Sequence, residues 1–148
     1  MFEHVRNYDS LMNKIAQWLK PQGLLFIHHF CHHHLSYEFN ADNSWMAKHF
    51  FQDGLMPSND LLLHFQDHLS CIRQWSVNGK HYAKTCYCWL ENLHAHKVDI
   101  IEIFTNHYDK PHLQYEYWEL FIRACAQLFG YRNGHEWYVT HCLMQKGC

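Results

Sequence analysis

A carboxylate and an imidazole stand side by side near the start of this chain, at Glu3 and His4. Such a pair can take or hold a proton near neutral pH, where histidine changes its charge. The alternative is a loose chain terminus with two solvated polar residues, since terminal residues are often poorly ordered. Residue types alone leave both interpretations open.

A second group of polar side chains is the histidine-rich segment His28-His29-Phe30-Cys31-His32-His33-His34. On a strand, alternate residues share a face about 6.6 Å apart. His28 with His32, or His29 with Cys31, could therefore bind one metal ion. No fourth ligand can be named, and the alternative is a strand that ends in a polar, partly exposed loop. We assign no metal ligand, and a histidine-rich metal protein is our last functional hypothesis.

Aromatic side chains provide two further candidates. Tyr82 follows the turn Asn78-Gly79, and a tyrosine at a helix start can direct its hydroxyl into a pocket, or simply pack with its ring. Tyr117, Trp118 and Phe121 could form an aromatic box, which attracts alkylated amines and sulfonium groups. Their spacing is also that of the core stripe of a helix.

Composition limits the classes of protein that this chain can belong to. With 148 residues, 48% hydrophobic and 17% aromatic, it is large enough for one globular domain with a core. A net charge of −2 gives no reason to expect nucleic-acid binding. No apolar run approaches the roughly 20 residues of a membrane span. The start lacks the features of a secretory leader and no cysteine pair forms Cys-x-x-Cys, so we expect a cytoplasmic protein without catalytic cysteines.

The elements that must position these residues follow from caps, periodicity and turn residues. Asp9 and Ser10 predict the start of a helix, and Pro21-Gln22-Gly23 its end. A short apolar run at Leu24–Phe30 predicts a buried strand of the parallel type. Residues 31–68 lose the pattern but stay aromatic, which indicates a substrate-covering insertion within a single domain, residues 1–148.

Beyond this insertion we predict two more strands and two more helices. Leu69–Val77 and Trp137–Met144 are the predicted strands, the last one an interior strand. A long helix is predicted from about Tyr82 to Tyr108, and a second from about Gln114, ended by Gly130. The six glycines are scattered singly, so no segment is typical of a glycine-rich nucleotide site.

Several motifs in register make the chain resemble the second half of coclaurine N-methyltransferase-like enzymes, relatives of the cyclopropane-fatty-acid synthases. The motifs that carry the resemblance extend along the whole chain: Met1-Phe2-Glu3-His4, Trp18-Leu19-Lys20-Pro21, Gly23-Leu24-Leu25-Phe26, His28-His29-Phe30-Cys31-His32, Met56-Pro57-Ser58, Val77-Asn78-Gly79-Lys80-His81-Tyr82-Ala83, Tyr117-Trp118 and Asn133-Gly134. His33 and His34 match nothing in that family.

The resemblance implies the C-terminal half of a Rossmann-like class I methyltransferase fold. It implies about three strands, with the last one antiparallel and lying between the other two. S-adenosylmethionine is the implied cofactor, with its glycine-rich site in a first half that is absent here. An implied consequence is an exposed edge on the strand at Leu24, which invites self-association or pairing with a separate first half.

Residue roles are also implied by the resemblance. In the amine branch of the family, Glu3 and His4 engage the substrate amine and accept its proton, and Phe51, Tyr117, Trp118 and Phe121 line the substrate pocket. In the lipid branch, Glu3, His28 and Tyr82 hold a bicarbonate that takes the proton.

Our first hypothesis is therefore a methyltransferase fragment acting on a small amine or a lipid, with doubtful activity by itself. The second is a non-catalytic relic or binding module that pairs with a separate N-terminal half.

Overall fold

The computed structural model describes residues 1–40, 44–51 and 54–147. Parts of the predicted insertion, residues 41–43 and 52–53, lie outside the described residues. The chain divides into two compact units, the first formed by Met1–Asn78 with Trp137–Cys148 and the second by Gly79–Glu136.

The first unit contains five strands, two α-helices and two short 3₁₀ turns within its described residues. In chain order they are a 3₁₀ turn (Phe2–His4), α1 (Tyr8–Trp18), β1 (Leu24–His32), β2 (Tyr37–Glu38), α2 (Trp45–His49), β3 (Leu55–Met56), a 3₁₀ turn (Leu61–His64), β4 (Ser70–Val77) and, after the second unit, β5 (Trp137–Gln145). The second unit consists of α3 (Gly79–Ala95), α4 (Lys97–Thr105), α5 (Pro111–Gly130) and a 3₁₀ turn (Tyr131–Gly134).

The main sheet of the first unit has three strands in the order β1-β5-β4. β5 is antiparallel to both neighbours, which confirms the predicted position of the last strand. Leu24 pairs with Gln145 at one end of the β1–β5 ladder and His32 with Trp137 at the other. β2 and β3 form a separate two-stranded sheet.

The core of the first unit lies between the sheet and α1. Met12 and Ile15 of α1 pack in one buried cluster with Ile27 of β1 and with Cys142 and Met144 of β5. These residues follow the helical and the alternating periods of their elements, so each element buries one face. The other face of β1 is more open, and Phe26 is 54% exposed. The prediction of a buried, parallel-type strand is therefore wrong for β1.

The second unit is helical. α5 packs along α3 and α4, and the hydroxyl of Tyr115 on α5 donates to the carbonyl oxygen of Leu93 over 3.1 Å. Pro111 occupies the first turn of α5, where its missing N–H has no helical partner to lose. It begins this helix, which we expected to start only at Gln114.

The predicted long helix from Tyr82 to Tyr108 is two helices, because His96 leaves helical geometry between α3 and α4. Neither glycine nor proline marks this break in the sequence. One boundary also shifts, since α1 is capped by Asn7 rather than by Asp9 or Ser10. Of the helices in the described ranges, none is long and apolar enough to cross a membrane.

Candidate functional site

The Glu3–His4 pair lies in a 3₁₀ turn that is anchored to the core. Phe2, which precedes the pair, is 7% exposed and belongs to the core cluster of the first unit. Its carbonyl oxygen accepts a hydrogen bond of 2.7 Å from the buried hydroxyl of Tyr8. The pair therefore stands on a packed turn, and the alternative of a loose, solvated terminus does not describe this structure.

Glu3 and His4 are close enough for an electrostatic interaction between a carboxylate and a protonated imidazole. Glu3 Oε1 lies 3.9 Å from His4 Nε2, and 2.9 Å from the terminal amine of Met1. Burial tends to raise the pKa of Glu3, but its backbone hydrogen bond and the charges of the Met1 amine and His4 hold that pKa below its usual value. The carboxylate is therefore ionised at neutral pH, and can stabilise a proton on the adjacent imidazole.

An aromatic cluster borders the imidazole of His4. Its ring stacks on Phe51 at a centroid distance of 5.7 Å. Phe51 in turn contacts Phe30 of β1 at 5.7 Å and Phe39 at 4.9 Å. The predicted substrate-binding residue Phe51 thus adjoins the predicted proton-handling pair. Phe30 and Phe39 extend this aromatic surface. In the sequence, Phe39 was indicated only by the aromatic richness of residues 31–68, and Phe30 only as the end of the predicted strand.

A second imidazole, that of His29, lies beside Phe2, which precedes the pair, at a centroid distance of 6.4 Å. His29 is 4% exposed, and its Nδ1 is 2.8 Å from the carbonyl oxygen of Phe30, so Nδ1 carries the hydrogen. Its Nε2 is then an acceptor, and it is buried without a hydrogen-bond partner among the described residues. Burial lowers the pKa of His29, and the nearby charge of Glu3 acts in the opposite direction. Sequence reasoning did not select His29 for this site.

His28, the histidine predicted for a bicarbonate or proton-relay role, has a different neighbour. Its Nδ1 lies 2.9 Å from Nε2 of His141, which stands directly opposite on β5. Because successive side chains of a strand point to opposite faces, His28 lies on the face opposite His29. The histidine close to Glu3 is therefore His29, whereas His28 pairs across the sheet.

The other predicted site residues belong to the second unit. Tyr82 lies in the first turns of α3, and its ring contacts Phe129 of α5 at 4.4 Å and Trp89 at 5.8 Å. On α5, the rings of Trp118 and Phe121 meet edge to face at 6.0 Å. Tyr117 is half-buried on the same helix, and Trp118 is 36% exposed.

The structure gives the histidine-rich segment other partners than a shared metal. His32 Nδ1 accepts hydrogen bonds from the backbone N–H groups of His34 and Leu35. The Cys31 thiol lies 4.0 Å from the side-chain oxygen of Asn59. In the part of the chain that the structure describes, no group of three or more potential ligands is placed to hold a metal ion. Spacing along the strand suggested the pairs His28 with His32 and His29 with Cys31 as metal ligands. In the structure, the members of each pair contact different partners.

We expected the cysteines to be small buried residues, which describes three of them, whereas Cys71 and Cys125 are partly buried and Cys88 is exposed. Cys31, Cys86 and Cys142 are buried, and burial raises the pKa of Cys31 and of Cys142 to about 12. Their thiols are protonated and unreactive at neutral pH.

Comparison with known proteins agrees with this fold. The family described as mycolic acid cyclopropane synthetase matches residues 1–138. The chain therefore belongs to this family of S-adenosylmethionine-dependent methyltransferases.

Individual relatives are plant N-methyltransferases. (S)-coclaurine N-methyltransferase of Papaver somniferum is 37% identical over 153 residues, which cover 99% of this chain and 44% of that enzyme. Pavine N-methyltransferase of Thalictrum flavum subsp. glaucum is 31% identical, over 99% of this chain and 43% of the enzyme. The chain thus spans less than half the length of these curated relatives.

Solved structures also match this chain over only about half of their own length. A coclaurine N-methyltransferase bound to N-methylheliamine and S-adenosylhomocysteine superposes with a TM-score of 0.90 at 33% identity, covering 99% of this chain and 45% of that one. The cyclopropane synthase MmaA2 from Mycobacterium tuberculosis shares the fold, with a TM-score of 0.76 at 21% identity over 98% and 52% of the two chains. These matches confirm the predicted C-terminal half of a class I methyltransferase fold.

Proposed function

We propose that this chain is the acceptor-binding half of an amine N-methyltransferase, and that Glu3 and His4 take the proton from the amine. The observation that carries the proposal is the Glu3–His4 pair, held on a packed turn with the His4 ring against Phe51. The relatives named after N-methylation of amines support the choice of acceptor.

The residues fit the proton balance of this reaction. S-adenosylmethionine supplies an electrophilic methyl group, and the amine needs a free lone pair to accept it. As the new N–C bond forms and the S–C bond breaks, the nitrogen loses one proton. His4 is 53% exposed, so it can receive that proton with Glu3 as its counter-ion and release it to solvent.

The imidazole of His29 offers a hydrogen-bond acceptor for the substrate. Nε2 of His29 is buried without a partner in the described ranges, and an unpaired buried acceptor is unfavourable. An N–H group of the bound amine would satisfy it. Phe51, whose ring stacks on His4, would then contact the apolar body of the amine.

Within the second unit, we assign a substrate-binding role to the edge-to-face rings of Trp118 and Phe121 and to Tyr117. Aromatic faces also favour the cationic character of a sulfonium or an alkylated amine. The lipid alternative, with bicarbonate held by Glu3, His28 and Tyr82, is less well supported, because His28 faces His141.

We further propose that the cofactor is bound with the other half of the fold, which the relatives contain and which lies outside these 148 residues. Two observations support this. The chain covers 44% of its relative in Papaver somniferum. In addition, the outer edge of β1 is unpaired among the described residues apart from one bridge between His32 and Ser58, so it can accept a further strand.

Complementation tests this function. The chain is co-expressed with the unmatched first part of the Papaver somniferum enzyme, and methyl transfer from S-adenosylmethionine to coclaurine is measured by mass spectrometry. We expect turnover by the pair and none by the chain alone.

Two variants then separate catalysis from assembly. Glu3→Gln and His4→Asn should each lower kcat by about 100-fold or more, the usual contribution of a general base, while the two polypeptides still co-purify. Asp99→Asn, which removes a 74% exposed carboxylate from α4, is the matched control and should retain full activity. Full activity in Glu3→Gln and His4→Asn would contradict the assignment, and a stable complex without turnover would instead indicate a binding module.

A further inference from the structure

The open face of the main sheet carries a pair of histidines that the proposed function does not use. His28 on β1 and His141 on β5 are directly opposite each other, and His28 Nδ1 lies 2.9 Å from His141 Nε2. The pair joins residues far apart in the sequence, so it is distinct from the pairs that spacing along β1 suggested.

We propose that His28 and His141 form a two-histidine binding site for a divalent transition-metal ion that prefers tetragonal geometry, such as Cu²⁺ or Ni²⁺. Imidazole nitrogens are the protein ligands that such ions favour. Solvent molecules would fill the remaining positions, because no group of three or more potential ligands occurs within the described ranges.

The separation of the two nitrogens is short enough for one ion to bind both. For metal–nitrogen bonds of about 2.0 Å, two ligands at 90° to each other lie about 2.8–2.9 Å apart, whereas two ligands of a tetrahedral ion lie about 3.3 Å apart. The observed 2.9 Å is the length of the hydrogen bond between the two rings, and it shows that both nitrogens are within reach of one ion. The ion sits to one side of the line between the nitrogens, so each ring turns toward it from its hydrogen-bonded position.

The surroundings leave room for that rotation and supply one opposing charge. His28 is exposed, and the ring of His141 is bordered by Phe26 at 5.1 Å and Trp75 at 5.2 Å. The Arg73 guanidinium stacks over Trp75 at 5.0 Å. Its positive charge disfavours a cation next to His141, so its removal should strengthen metal binding.

Calorimetric titration of the full chain with Cu²⁺ at pH 7.5 tests the site, with electron paramagnetic resonance to detect coordinated nitrogen. We expect one equivalent of Cu²⁺ to bind more tightly than any further equivalents. His28→Gln and His141→Gln should each weaken this equivalent at least tenfold. The double variant His28→Gln/His141→Gln should bind Cu²⁺ no more weakly than either single variant, because a single remaining histidine already cannot chelate the ion. Arg73→Gln should tighten it.

Controls distinguish this site from adventitious binding by the other histidines of the chain. The double variant His33→Gln/His34→Gln and the variant His96→Gln should keep the tight equivalent. Loss of that equivalent in the controls, or its persistence in His28→Gln and His141→Gln, would show that the proposal is wrong. If the variants do not fold, protection of His28 and His141 from diethyl pyrocarbonate by Cu²⁺ in the unaltered chain decides, and equal modification with and without Cu²⁺ overturns the site.

Discussion

At the scale of single residues, Tyr8 holds the first turn, Phe2–His4, in a fixed position against the core. It is 3% exposed, and its hydroxyl donates to the Phe2 carbonyl oxygen over 2.7 Å. Its ring also stacks with Phe2 at 6.3 Å. One side chain of α1 thus fixes the backbone immediately before Glu3 and His4, so the geometry of the pair depends on a residue with no chemical role.

Burial of Tyr8 makes the stability of the chain depend on alkaline pH. It raises the pKa of Tyr8 from 10.0 to about 12, and that of the Cys31 thiol from 9.0 to about 12. Above the lower values the unfolded chain releases protons that the folded chain retains, which favours unfolding. We expect the free energy of unfolding, from urea titrations, to be level near pH 8 and to fall between about pH 9 and pH 12.

The variant Tyr8→Phe separates the tyrosine from the thiols. It should lower the free energy of unfolding at pH 8 by about 1–2 kcal/mol, because the Phe2 carbonyl loses its buried partner. It should also reduce the fall above pH 10. Tyr108→Phe, at a position that is 46% exposed, should alter neither quantity. An unchanged alkaline slope in Tyr8→Phe would show that Tyr8 is not the titrating group.

At the scale of the elements, the cap of α1 controls the connection between the candidate site and the core. Asn7 Oδ1 accepts a hydrogen bond of 2.9 Å from the backbone N–H of Ser10. Asn7→Ala should lower the free energy of unfolding by about 1 kcal/mol, whereas Asn7→Asp keeps an acceptor and should stay near the unaltered chain. Thermal unfolding followed by circular dichroism measures both, and equal losses in the two variants would contradict a capping role.

The elements show what the sequence can and cannot predict. β4 and β5 match their predictions within one residue at each end, because turn residues bound them and their hydrophobic runs are short. The break at His96 between α3 and α4 escaped prediction, since no helix-breaking residue stands there. Asp9, Ser10 and Asn7 are all good caps, so residue type alone did not select Asn7.

The candidate site was predictable only in part for a similar reason. Glu3, His4 and Phe51 are brought together as the family resemblance implied. The placement of His28 and His29 on opposite faces of the sheet relative to Glu3 was not predictable, because a shift of one residue along a strand moves a side chain to the other face. The partner of His28 is 113 positions away, and only the register of β1 with β5 identifies it.

At the scale of the whole molecule, the main sheet ends in an edge strand with an open apolar face. Leu24 and Phe26 of β1 are 53% and 54% exposed. Unpaired strand edges with exposed apolar side chains promote association. We expect the chain alone to form oligomers at high micromolar concentration in sedimentation velocity experiments.

A lysine on β1 should oppose this association, because edge lysines disfavour strand pairing between molecules. We expect Phe26→Lys to increase the monomer fraction. Ile103→Lys, which places the same charge at a 56% exposed position of α4, is the control and should change it less. A chain that is monomeric without either substitution would argue against an active edge at β1.

The contact between the Met1 amine and Glu3 has a practical consequence for making the protein. The amine lies 2.9 Å from the carboxylate and is one of the charges that lower the pKa of Glu3. An affinity tag placed before Met1 converts that ammonium into an uncharged amide, so the pKa of Glu3 rises and the carboxylate becomes a stronger base. Preparations of these 148 residues with and without such a tag should therefore differ in the pKa of Glu3.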